Sequence, residues 1–497
     1  MRYSALLLVV SFCAFSANAQ VPVQPPSTDS KNTTDPTTPP GVRKSKDKEA
    51  VPGTGVSTDD STVTGTEKTV PSEPDYPGPG TLGHNFSIAP ASTKSVRFRP
   101  YLGVSGIFAS GLTGGQINPD GSIASARSWG IEGDYGITGI KVREKDEFSL
   151  DFHGNVFHYM PDSNFDGSNN FLSASYTRQL RPHLLVRFDD SAGVYSNNFG
   201  VASTAATTDI SLGNTNTLVT PSSQILDNRT YYLSTSADVV SMLSPRVTLD
   251  FGGSAFEVKR QSSALIGSVG EQARADAEYR MSRRSTVGLY YGYTHYEYTR
   301  AFGGSDVHTL GLSYSVGVTK RLEMRFRAGA SRIESLNLAQ VALDPLVALL
   351  IGRTTGEVAM YQINYIPDFS AQVVRTFNHA VAGAEASLSV SPGNGLLLTS
   401  KRHFYNAHLD YTGLRTYSIS MGATREELAG IGVSFANFSS SGANFGISRE
   451  LKHGVQANFR AEYRHYDISS LTGFLRNQYK LMVGLTYSPG DRPINIW

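Results

Sequence analysis

The chain holds a single cysteine, Cys13, and only two tryptophans. One thiol can close neither an internal disulfide nor a four-cysteine zinc site, so both of those small-fold staples are excluded. Excess charge is missing too: 44 Lys and Arg face 43 Asp and Glu, a formal net charge of +1. The broad positive field of a dedicated nucleic-acid binder is therefore absent, and no nucleic-acid partner is expected. Beyond the N-terminus there is no apolar run of about 18 residues, the length a membrane-spanning helix needs. The longest candidate, residues 336–351, is interrupted by Asp344-Pro345. Neither a phosphate-cradling G-x-x-x-x-G-K-[ST] loop nor H-E-x-x-H is found, and no cofactor is expected.

What remains is rich in turn formers and rings. The 497 residues include 48 glycines, 25 tyrosines and 24 phenylalanines, yet only 39% of the chain is hydrophobic. That balance favours strands over helices and lacks the aliphatics of a thick core. The N-terminus has the layout of a secretory signal over residues 1–19: Arg2, an apolar stretch over 5–15, and Ala17-Asn18-Ala19 before Gln20. Phe12 stands just before Cys13, where a lipoprotein signal needs a small residue. Cleavage after Ala19 would leave a mature chain without cysteine. Residues 20–95 are Pro, Thr, Ser and Gly with scattered charge, including the basic cluster 43–48. Apolar groups are too sparse there to offset the entropy of ordering the backbone, so this segment is expected to be a disordered linker.

From Val96 the pattern becomes a period-2 alternation in segments of about ten to fourteen residues, the signature of strands. In residues 272–281, Ala273, Ala275, Ala277 and Tyr279 oppose Gln272, Arg274, Asp276, Glu278 and Arg280. In residues 321–331, Leu322, Met324, Phe326, Ala328 and Ala330 oppose Arg321, Glu323, Arg325, Arg327 and Ser331. Near the end, Val455, Ala457, Phe459, Ala461 and Tyr463 oppose Gln456, Asn458, Arg460, Glu462 and Arg464, and Tyr479, Leu481, Val483, Leu485 and Tyr487 oppose a face containing Lys480. Tight turns at 180–183, 243–246, 282–284, 319–321 and 450–453 alternate with longer links at 110–127, 161–170, 196–228 and 336–353. The walk along residues 96–487 gives 16 to 18 strands, an even number, followed by a C-terminal extension over 488–497.

Alternation alone also fits a soluble sandwich, whose paired oily faces need large aliphatics to pack densely. Here the oily face carries many Ala, Gly, Tyr and Phe residues, which suit acyl chains that need no jigsaw fit. Tyr290, Tyr291, Tyr293, Tyr296 and Tyr298 are expected to form part of an interfacial girdle. In hydrocarbon every unpaired backbone group costs several kcal/mol, so such strands survive only as a closed cylinder. At 16 to 18 strands that cylinder is wide enough for an aqueous lumen. The expected lining is Arg274, Asp276, Glu278, Arg280, Glu323, Arg325, Arg327, Gln456, Asn458, Arg460, Glu462, Arg464 and Lys480.

With a signal, alternating short and long connections and a terminal aromatic at Trp497, residues 96–497 resemble the outer-membrane β-barrel porins of diderm bacteria. The resemblance implies an all-β, transmembrane, antiparallel up-and-down barrel in the cell outer membrane, non-enzymatic, passing small hydrophilic solutes. It also implies outer-membrane lipid, lipopolysaccharide and the barrel-assembly machinery as partners, with the linker touching periplasmic or peptidoglycan partners. A structural or secretory barrel, such as a polysaccharide conduit, is the alternative, and a membrane-embedded hydrolase a third. Family members commonly end on their last strand, so either Trp497 or Tyr487 would carry the assembly signal. Two local patterns stand apart. Asp162, Asn164 and Asp166 before Gly167 resemble the start of a calcium loop, although Ser173 stands where a bidentate Glu would close it. His153, His158 and His295 are the histidines a barrel hydrolase could recruit, without any linear motif to support it.

Overall fold

The computed structural model describes residues 96–494, apart from 113–125, 161–164, 197–228, 343–348, 432–436, 469–474 and a few shorter gaps. The expected signal and linker (1–95) and Trp497 lie outside the described residues.

The first third of the wall is β1 (Val96–Leu112), β2 (Ala126–Val142), β3 (Asp146–Met160), β4 (Gly167–Arg181), β5 (Leu184–Tyr195) and β6 (Thr230–Ser244). The second is β7 (Val247–Arg260), β8 (Ser268–Arg280), β9 (Ser285–Tyr298), β10 (Gly303–Thr319), β11 (Leu322–Ala342) and β12 (Thr355–Thr376). The third is β13 (Ala380–Ser391), β14 (Ser400–Leu414), β15 (Tyr417–Gly430), β16 (Asn437–Glu450), β17 (Val455–Ile468) and β18 (Leu475–Tyr487), with a short β19 (Arg492–Ile494) after it. Each strand pairs antiparallel with its neighbours in sequence, and β1 pairs with β18, so the sheet closes. Closure removes both edges, the only state in which every strand can sit in hydrocarbon with its ladder complete.

Strand reversals occur where the turn residues placed them: at 182–183, 245–246, 281–284, 320–321 and 451–454. They all lie at the end of the barrel where the chain enters, while the opposite end carries the longer links. One link was placed wrongly. Residues 336–342 continue β11 rather than leave it, paired with β12 as far as Ala342 opposite Thr355. The apolar run beginning at Leu336 hides the alternation, but Leu336 and Leu338 still face out while Asn337 is half-buried between them. The 488–497 extension is also partly structured. Arg492–Ile494 pairs with Val96–Phe98, so β19 prolongs the line of β18 along β1.

The outer surface is apolar over a belt. Leu102, Val104, Trp129 and Val483 are 58–68% exposed, values that no soluble core strand would tolerate in a row of neighbours. On β18, Tyr479 and Tyr487 bracket Leu481, Val483 and Leu485 on the exposed face. Eight steps of ~3.3 Å rise on a tilted strand span roughly 20 Å, close to the apolar band of outer-membrane barrels. Tyr463 on β17 packs beside Tyr479, with centroids 5.0 Å apart and the rings tilted by 36°, and widens that girdle. The tyrosines of β9 divide instead. Tyr291 is 43% exposed on the outer face, whereas Tyr290, Tyr296 and Tyr298 are buried inside. Neighbouring side chains on a strand point to opposite faces, so a run of tyrosines cannot be one girdle.

Outward charge collects at the long-loop end of the strands. Lys259 pairs with Glu257, His295 with Asp306, Arg332 with Glu334 and Arg425 with Glu427. This collar stands at headgroup height above the belt. Placing a charge within the belt should be costly: Val483→Arg is expected to destabilise the barrel in phospholipid vesicles by about 2–4 kcal/mol. The midpoint of urea unfolding measures it, and an unchanged midpoint would show that Val483 does not face lipid.

Candidate functional site

The interior is built on a simple device. Long polar side chains lie flat along the inner wall because glycine stands at the inward positions they cross. Asp238 on β6, Gly252 on β7 and Arg274 on β8 are in register. Arg274 crosses Gly252 and donates from Nη2 to Asp238 Oδ1 at 2.6 Å. A methyl group on Gly252 would collide with both partners. One rung nearer the short turns, Asp276 (β8), Tyr290 (β9), Gly311 (β10), Gly329 (β11) and Asp368 (β12) form a row. The Tyr290 ring spans the two glycines, where added Cβ atoms would stand 2.5 and 2.8 Å from its hydroxyl oxygen. That hydroxyl donates to Asp368 Oδ2 at 2.6 Å. Arg327 folds over the ring, Cζ 3.9 Å from its centroid, and brings Nη2 to 3.8 Å from Asp276 Oδ1.

The opposite wall carries buried ion pairs as well. Lys480 Nζ on β18 donates to Glu132 Oε2 on β2 at 2.5 Å, the two side chains 1% and 0% exposed. Asn155 on β3 donates to the other oxygen of Glu132 at 2.7 Å. Arg402 and Glu426 pair at 2.7 Å on β14 and β15, and Arg460 and Glu462 at 3.5 Å on β17.

The expected lining residues take these places. Arg274, Asp276, Glu278 and Arg280 share one face of β8, buried or half-buried, opposite the exposed Ala273, Ala277 and Tyr279. Glu323, Arg325 and Arg327 share one face of β11, where Arg325 donates to Glu323 at 2.8 Å. Gln456, Asn458, Arg460, Glu462 and Arg464 share one face of β17, and Asn458 donates to Thr486 at 2.7 Å. Of the calcium-loop residues, Asp162 and Asn164 lie outside the described residues. Asp166 accepts the Tyr159 N–H at 2.8 Å and pairs with His158 at 2.6 Å. The three histidines do not converge: His153 lies 3.3 Å from Asp151 on the inner face of β3, His158 on the outer face of that strand, and His295 on the outer face of β9.

Sequence reasoning missed a segment that folds inward against the barrel wall. The β13–β14 link, residues 392–399, folds into the barrel. Gly393 and Gly395 adopt φ of 83° and 93°, left-handed values that give the link its reversal. Asn394 Oδ1 accepts the N–H of Leu397 at 3.1 Å, and both residues are buried. The link is tied to the strands it faces: Ile266 N–H donates to Gly395 O at 2.9 Å, and Thr399 Oγ1 bonds the Tyr298 hydroxyl at 2.7 Å and Ser305 Oγ at 2.5 Å. Leu398 and Val390 pack on the buried cluster of Phe256, Tyr296, Val307 and Ile333. The link's inward path depends on partners far away in the chain, 94 residues for Ser305 and 101 for Tyr298. Against the β8–β12 wall, beside this link, lies a cavity of about 200 Å3 bordered by Arg274, Asp276, Tyr290, Arg327, Asp368 and Pro392.

No family model matches the sequence, and no curated protein does. Among solved structures, Acinetobacter baumannii OccAB3 is similar at 11% identity and a TM-score of 0.36, covering 79% of this chain and 99% of its own. Pseudomonas aeruginosa OccK8 (OprE) is similar at 12% and 0.37, covering 81% and 100%. The Pseudomonas aeruginosa outer membrane protein opdK is similar at 11% and 0.38, covering 79% and 98%. At these distances the porin-like fold rests on the strand pairing of this chain itself.

Breaking one half of a buried ion pair leaves the other half uncompensated, at about 3–5 kcal/mol. Lys480→Met is expected to lower stability by about that amount, and adding Glu132→Gln should recover part of the loss. Chemical denaturation of the two variants measures it, and additive losses would show that the two groups are not coupled.

Proposed function

We propose that this protein is an outer-membrane channel through which small hydrophilic solutes diffuse. The observation that carries the reading is the pairing of opposites in one closed sheet of 18 long strands: an exposed apolar belt outside and charged, hydrogen-bonding side chains inside. Only a cylinder in lipid with water in its lumen gives both faces a favourable solvent. Carboxylates and guanidiniums alternate along the inner wall, so fixed charge is distributed rather than gathered into a single-sign ring.

The same reading places outer-membrane lipid around the belt and lipopolysaccharide headgroups against the collar of Lys259, Arg332 and Arg425, whose exposed charges can meet phosphate. It makes the barrel-assembly machinery the route of insertion and assigns contact with periplasmic or peptidoglycan partners to residues 20–95. Protein refolded in detergent, showing heat-modifiable gel migration, is expected to give stepwise current in a planar bilayer in simple salt. A folded barrel that passes no current would refute the channel.

The link over 392–399 narrows the path, so releasing it should widen the path. A side chain at Gly395 would meet Arg260 and be strained at φ 93°. Gly395→Val is therefore expected to raise unit conductance while the barrel still folds. Equal conductance in the variant and the parent would show that the link does not limit flow.

A further inference from the structure

The cavity beside the 392–399 link has two groups whose bonding is incomplete. Asp276 is 3% exposed, and its Oδ1 has no hydrogen-bond partner. Arg327 Nε, held over the Tyr290 ring, has none either. Both residues border the cavity. A buried carboxylate oxygen lacking a donor and a buried guanidinium N–H lacking an acceptor each carry a desolvation penalty that a ligand can remove.

The rest of the lining decides which ligand. The ionic groups are two guanidiniums, Arg274 and Arg327, and two carboxylates, Asp276 and Asp368, so a full charge on the solute gains nothing overall. Arg274 is already spent on Asp238, and Asp368 already accepts from Tyr290. The neutral polar side chains here, Gln272, Thr294, Thr309, Ser331 and Ser389, each both donate and accept. A vicinal diol matches the open pair: one hydroxyl donates to Asp276 Oδ1 and its neighbour accepts from Arg327 Nε. An ammonium or a carboxylate would satisfy one of the two and leave the other unpaired. The space, about 200 Å3, holds roughly seven waters at ~30 Å3 each, room for one sugar ring with its hydroxyls.

We propose that this cavity is a binding subsite for a neutral polyol of monosaccharide size, with Asp276 and Arg327 holding adjacent hydroxyls. The proposal rests on the channel reading and narrows it to a solute class. Solute entering the lumen would pause on the β8–β12 wall beside the link and then continue.

The test uses the refolded chain in a planar bilayer with D-glucose as probe. The expected result is a saturable fall in ion current, distinct from the linear fall that viscosity produces. Asp276→Asn and Arg327→Gln should raise the half-blocking concentration about tenfold or more, the effect of losing one charged hydrogen bond. Serine, a zwitterion whose ammonium and carboxylate together match the same two atoms, is the competing probe, and it should block less than glucose because it leaves the neutral polar lining unmatched. A conducting channel that glucose does not block saturably overturns the subsite while the channel reading stands, and stronger block by serine than by glucose overturns the polyol assignment. If no current flows, the channel reading fails. The subsite is then judged by equilibrium dialysis of labelled glucose against the refolded protein: saturable binding weakened in the variants supports it, and its absence refutes it. Heat-modifiable migration selects folded variants, and Gln272→Leu serves where Asp276→Asn does not fold.

Discussion

Backbone hydrogen bonding without water is the constraint on which the rest depends. A strand in hydrocarbon must give every N–H and C=O to a neighbour, which forbids an edge and forces the sheet to close. Closure then divides each strand into an outer and an inner set of residues. The outer set needs no shape, only low polarity, which is why Leu102, Val104 and Val483 stand exposed beside alanines and glycines. The inner set surrounds a space that the outer set never sees, and it can carry the charge that lipid would reject.

Inside, the wall is organised by what its small residues leave open. Gly252, Gly311 and Gly329 are interior positions where any side chain would collide with a neighbour's. Over them lie Arg274 and Tyr290, extended across one or two strands to reach Asp238 and Asp368. Each long side chain is thereby bound at both ends, so less of its rotamer freedom remains to be lost when a solute arrives. The glycines, which weaken a strand in isolation, here give the lumen a fixed inner surface.

The alternation was legible because period 2 is local: residues 272–280 and 455–464 each display both faces within one strand, and no distant information is needed to read them. The same rule, applied one residue at a time, separates Tyr290 from Tyr291; grouping five tyrosines by composition concealed it. The extension of β11 through 336–342 was hidden because Leu338-Ala339 and Val341-Ala342 place apolar residues on both faces and blur the period, and only pairing with β12 reveals the strand. The inward path of the 392–399 link was not legible from its own residues. Its direction is fixed by Ile266, Tyr298 and Ser305, which only the paired wall brings near it. The candidate cavity has the same character. Asp276 and Arg327 could be placed on inner faces from their own strands, but their approach depends on Tyr290 lying flat between them.

The seam between β1 and β18 shows how closure is secured where it is entropically hardest. These strands join residues at opposite ends of the folded chain, Ser110 with Tyr479 and Leu102 with Tyr487, so their pairing closes the longest loop in the molecule. Side chains from β18 reach over the seam on the inside at two heights. Lys480 reaches Glu132 on β2, and Arg476 donates from Nε to Gly111 O at 2.9 Å. At the chain-entry end, Ser488 bonds Pro100 O at 3.0 Å and Gly454 O at 2.9 Å, after which β19 adds three more pairs along β1. A ladder alone would leave this last junction no stronger than the others; polar contacts buried on the lumen side join β18 to β2 as well as to β1. Opening the seam therefore has to expose a desolvated carboxylate and ammonium together with the backbone of three strands, and this makes closure a cooperative property of the inner wall as well as of the sheet.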